Sequence, residues 1–94
     1  MNHEKLECYQ KLMLVAEEVA KRVTKWPRGY SYLADQIKRT MISAVLNVCE
    51  GMGSIAEVSA GLDLARTFGI MKANDTESLK SLLKLAYVKI SALP

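Results

Sequence analysis

Few side chains in these 94 residues can do acid–base, nucleophilic or metal chemistry. His3 is the single histidine, and its place near a chain end that frays keeps it out of a nucleophile–base–acid set. Cys8 and Cys49 share no metal-ligand spacing and sit in apolar helical runs, where a thiol behaves as a small hydrophobe; two buried thiols are expected rather than a disulfide. Glu17, Glu18, Glu50, Glu57 and Asp63 have no Glu-x-x-His partner pattern, so they are expected to be solvated or paired with lysine. Gly51-Met52-Gly53 is too short for a phosphate loop and lacks its Lys-Ser or Lys-Thr ending. The expectation is a protein with no catalytic residues, no metal and no cofactor, hence not an enzyme.

Two polar patterns suit binding. Lys21, Arg22, Lys25 and Arg28 cluster near the end of the first helical segment, and Lys38 and Arg39 follow after a short turn; such cations contact nucleic-acid phosphates, although a helix C-terminus attracts them without any ligand. Gln36, Arg39, Ser43, Asn47 and Glu50 recur at spacings of three and four, which puts them on one helix face as a polar seam amid apolar residues. That seam is either an oligomer interface, whose members satisfy one another, or the solvent face. Tyr30, Tyr32 and Tyr87 are the aromatics that stacking on unpaired bases would use, and packing suits them equally.

The elements that carry these residues read as helices throughout. Half the residues are hydrophobic and 24% charged, with thirteen basic against ten acidic side chains, which describes one globular domain with no membrane span and a mild tolerance for polyanions. Residues 1–5 run into an amphipathic helix without a signal-peptide core, so the expected location is cytoplasmic. Leu6, Tyr9, Met13, Ala16, Ala20 and Val23 define the buried line of a helix over about 4–25, with Leu12, Val19 and Trp26 beside it. Ala34, Ile37, Met41, Ala44, Val48 and Gly51 define a second over about 31–50, capped by Ser31. Ile55, Val58, Leu62 and Ala65 mark a third over about 54–68, ended by Phe68-Gly69. Asn74 and Glu77 read as a capping box for a fourth, about 75–92, with Leu79, Leu83, Ala86, Ile90 and Leu93 inward. Four helices on short connections predict an antiparallel up-down-up-down bundle. From Met41 to Cys49 only Ser43 and Asn47 are polar, so the second helix needs cover on nearly every side and self-association is expected.

Leu6-Glu7-Cys8-Tyr9-Gln10-Lys11, Asp35-Gln36-Ile37-Lys38-Arg39, Ser43, Asn47-Val48-Cys49-Glu50-Gly51, Gly53-Ser54-Ile55-Ala56-Glu57 and Phe68-Gly69-Ile70 resemble the bacterial four-helix-bundle family of the 23S ribosomal RNA intervening-sequence protein. A distant cousin of that family is the accessory variability protein of diversity-generating retroelements, which binds nucleic acid and a reverse transcriptase. The resemblance implies small cytosolic bundles, several of them rings of five, with RNA association inferred from gene location. The chain departs from the pattern at Val45, where the family often has proline, and at Glu50–Ser54, where relatives carry a basic loop. The latter departure, with a helix three expected to be roughly 8 Å shorter than helix two, suggests that about 15 to 20 residues are absent there. The expected function is a homo-oligomeric scaffold, a pentamer by resemblance, that binds RNA or a ribonucleoprotein; the alternative is a protein-only adaptor.

Overall fold

The structure, a computed structural model, describes residues 3–47 and 52–93. Four helices follow one another: α1 (His3–Val23), α2 (Ser31–Leu46), α3 (Met52–Thr67) and α4 (Ala73–Ser91), with a 3-10 turn at Arg28–Tyr30. They pack in a square: α2 and α4 each lie against both α1 and α3, and the diagonal pairs make no close backbone approach. The body measures 41 × 22 × 19 Å. The α2–α3 seam is the most closely packed of the four and α1–α2 the loosest. No strand occurs among the described residues.

The inward lines of α2, α3 and α4 follow the expected periodicity. Ala34, Ile37, Met41 and Ala44 are buried, as are Ile55, Val58, Leu62 and Ala65, and then Leu79, Leu83, Ala86 and Ile90. Val48 and Gly51 lie outside the described residues. On α1 the expected line is only partly inward: Val23 is buried and Tyr9 and Ala16 are half-buried. The core takes Cys8, Leu12, Val15, Val19 and Val23, while Leu6, Met13 and Ala20 are exposed. Two apolar lines run side by side on this helix, separated by roughly one residue's rotation of 100°. The β-branched one faces the core, and the flanking one faces the loosely closed seam with α2.

Three helix ends also differ from expectation. Ser31 caps nothing with its side chain, because Pro27, at φ −59° and ψ 152°, starts the 3-10 turn. The Tyr30 N–H then donates to the Pro27 carbonyl at 3.0 Å and the turn leads straight into α2. Second, α2 closes at Leu46, with non-helical Asn47 donating its N–H to the Ser43 carbonyl. It therefore has 16 residues, as α3 does, and the expected difference in length is absent; residues 48–51 lie outside the described residues. Third, Asn74 and Glu77 form no capping box. The helix starts earlier, at Ala73, because Thr76, fully buried, directs both its N–H and its hydroxyl to the Lys72 carbonyl at 3.0 Å.

The α3 terminus matches expectation in detail. Gly69 takes φ +79°, and the Ile70 N–H donates to Ala65 O while the Gly69 N–H donates to Arg66 O, both at 3.0 Å. This double bond pattern ends a helix with its last carbonyls satisfied, and the positive φ favours glycine. Gly61 has a different purpose. A Cβ there would lie 2.7 Å from Ile37 Cγ1 and 3.0 Å from its Cδ1, so the missing side chain is what lets α3 approach α2. Gly61→Ala is expected to destabilise the fold by about 1–2 kcal/mol, since overpacking outweighs the gain in helix propensity. Urea denaturation checks it, and in an Ile37→Ala background, where the clashing side chain is gone, Gly61→Ala is expected to cost less than it does in the wild type.

Candidate assembly and nucleic-acid interfaces

The loose α1–α2 seam leaves an open groove of about 400 Å³. Met13, Ala16 and Ala20 line one wall, Met41, Ile42, Val45 and Leu46 the other, and Lys38 is the one charged lining residue. Ile42 is 57% and Leu46 76% exposed. The groove follows from two features of the sequence: α1 carries more apolar residues than the core can accept, and α2 is apolar on the flank that faces them. Unsatisfied apolar surface is not confined to α2, as the sequence suggested. Leu14 is 60% exposed on α1 and Leu85 58% on α4, with Leu82 and Val88 also exposed. The apolar lining of the α1–α2 groove is the kind of surface that marks an interaction face.

Within the bundle the polar seam faces outward. Gln36, Arg39 and Asn47 are exposed. Ser43 is half-buried, where its hydroxyl accepts from the Ser54 Oγ of α3 at 3.0 Å, and Asn47 Nδ2 donates to the Ser43 carbonyl at 3.1 Å. Glu50 lies outside the described residues. The seam thus borders the exposed apolar residues of α2, which places Arg39 on the same outward face as Leu46.

The six basic residues are divided among two openings and exposed surface. Lys38 lines the α1–α2 groove, whereas Lys21, Arg22 and Lys25 line a cleft between the end of α1 and the start of α4; Arg28 and Arg39 are exposed. Arg22 is chiefly structural. Its Nη1 donates to Glu18 Oε2 at 2.8 Å and to the Glu18 carbonyl at 2.9 Å, and its Nη2 donates to Asp75 Oδ1 at 2.9 Å. Lys21 pairs with Glu18 at 3.3 Å. At the other end of the same helix pair, Lys89 of α4 reaches Glu7 of α1 at 3.0 Å, and Lys80 pairs with Asp63 at 2.9 Å between α4 and α3. Lys25, Arg28, Lys38 and Arg39 make no ion pair among the described residues. They remain available for a polyanion.

These pairs tune ionisation. Hydrogen bonds from Arg22 and then Lys21 hold the Glu18 carboxyl below the usual range, and the hydrogen bond from Lys89 does the same to Glu7. Asp75, then Glu18, raise the Arg22 guanidinium further. A carboxyl whose pKa is lower folded than unfolded stabilises the fold above its unfolded pKa, and that contribution disappears as pH falls through the folded value. Melting temperature is therefore expected to fall between about pH 5 and pH 3. Glu18→Gln should melt below the wild type at neutral pH and converge with it in acid.

The sequence did not reveal that Lys72, just before α4, and Asn74 and Asp75, at its start, line the cleft, nor that Trp26 and Met71 do. The available signal was topological: in a bundle whose first and last helices are neighbours, residues 21–26 meet residues 70–75. No group of three or more His, Cys, Asp or Glu suited to a metal occurs among the described residues, and none of their helices is long and apolar enough to cross a membrane. No protein-family model matches the chain, and no curated protein matches it.

Proposed function

We propose that this chain is a non-enzymatic, homo-oligomeric helical scaffold, a cytoplasmic relative of the 23S rRNA intervening-sequence proteins, that binds RNA or a ribonucleoprotein. The open apolar groove between α1 and α2 carries this reading. A single subunit leaves Ile42 and Leu46 in water there, and a second copy would cover them. The exposed Leu14, Leu85 and Val88 belong to other flanks of the bundle. Two unlike faces favour head-to-tail contacts, which close into rings; the resemblance makes the number five. Ion pairs that join the start of α1 to the end of α4, and the end of α1 to the start of α4, support the antiparallel up-down-up-down order.

Assembly would multiply the unpaired cations Lys25, Arg28, Lys38 and Arg39 around the ring, so that modest subunit charge becomes strong binding of a polyanion. Titrating labelled structured RNA at two salt concentrations tests this, with binding at low salt expected to weaken steeply at high salt. No binding at low salt, or a flat salt response, rejects RNA. The adaptor reading then takes its place, and the engagement of Arg22 and Lys21 within the fold is the observation in its favour.

A further inference from the structure

The end of the bundle where α1 meets α4 holds an open cleft of about 660 Å³, within the range of roughly 300–1,000 Å³ typical of small-ligand sites. Its chemistry is divided. Trp26, Pro27, Ile70 and Met71 make an apolar lining, and Lys21, Lys25 and Lys72 supply cations around it. Trp26 is half-buried, packing against the core while it lines the cleft. The one carboxylate in the lining, Asp75, is held by Arg22 at 2.9 Å. Arg22 and Lys21 share Glu18, so four cations stand against two carboxylates. Lys25 and Lys72 have no ion pair among the described residues.

We propose that this cleft is a binding site for an unpaired nucleotide of a single-stranded RNA, with the base against Trp26 and the flanking phosphates on Lys25 and Lys72. An indole offers a base a stacking platform of no sequence preference, and lysines lining the same cleft can neutralise the backbone. A duplex needs only the lysines, because its bases are stacked inside. Acidic peptides would meet the lysines but leave the apolar lining unused. The inference rests on the RNA reading above and assigns it a site that includes Lys72, a residue distant in sequence from the basic cluster of α1.

Trp26 is the only tryptophan, so its emission reports on the cleft directly. The test titrates the intact protein with a fluorescein-labelled eight-nucleotide oligouridylate, following label anisotropy and Trp26 emission together. The expected result is quenching that tracks anisotropy with one affinity. Lys72→Ala, an exposed change, should weaken binding about three- to tenfold and reduce the slope of log affinity against log salt by about 0.7; Trp26→Phe should retain most of the affinity. Binding with unchanged Trp26 emission and no effect of Lys72→Ala overturns the cleft while leaving RNA binding elsewhere intact. Equal affinity and quenching with a duplex of the same length overturns the unpaired base, and equal behaviour with hexaglutamate overturns the nucleotide. Absence of all RNA binding at low salt overturns this site together with the RNA reading.

Discussion

A Leu62→Ala variant is expected to lose about 3–4 kcal/mol of stability, measured by urea denaturation at fixed protein concentration. Leu62 is fully buried on α3, and the neighbouring Gly61 already brings α3 close enough to α2 that an added Cβ would meet Ile37. The backbones have little room to close further, so the deleted side chain leaves a cavity rather than a collapsed gap. A domain of this size has about 5–14 kcal/mol in total, and the variant forfeits a large fraction of it. Leu64, two positions along and 47% exposed, provides the contrast: its replacement by alanine should cost under about 0.5 kcal/mol. Comparable losses at the two positions would contradict the packing described for α3.

Ile42→Glu is expected to act in the opposite way, leaving the subunit folded and abolishing its assembly. In a lone subunit Ile42 projects largely into water, so a carboxylate there changes subunit stability by no more than about 0.5 kcal/mol. In an assembly that fills the α1–α2 groove, the same carboxylate is buried without a partner. Such a burial costs several kcal/mol, and each 1.4 kcal/mol weakens association about tenfold. Circular dichroism should show unchanged helicity while the mass in solution falls to one subunit. A variant that stays assembled would move the interface away from this groove.

The sequence and the structure agree on the inward lines of α2, α3 and α4 and diverge on α1. On α3 and α4 the lines through Ile55, Val58, Leu62 and Ala65, and through Leu79, Leu83, Ala86 and Ile90, are all buried, although α4 also carries Leu82, Leu85 and Val88 on its exposed side. On α1 the line through Leu6 and Met13 is as periodic as the line through Leu12 and Val19, and only the third dimension decides which faces the core. Helix ends were legible where one residue type is required, as at Gly69 with φ +79°, and not where several local solutions compete. Pro27 displaced Ser31 by opening a 3-10 turn, and Thr76 moved the start of α4 ahead of Asn74. For the candidate sites, the cations themselves were visible but their grouping was not. Helical periodicity groups residues near in sequence, whereas Lys25 and Lys72 share a cleft through the packing of α1 on α4.

The apolar groove between α1 and α2 is proposed to be covered by a second copy of the chain. Light scattering coupled to gel filtration, on the intact wild-type chain at micromolar concentration, tests it most directly. A discrete species of several subunits, an integral multiple of 10.5 kDa, is expected for the wild type, and a single subunit for Ile42→Glu. A wild-type chain that elutes as a clean 10.5 kDa monomer at that concentration would contradict it.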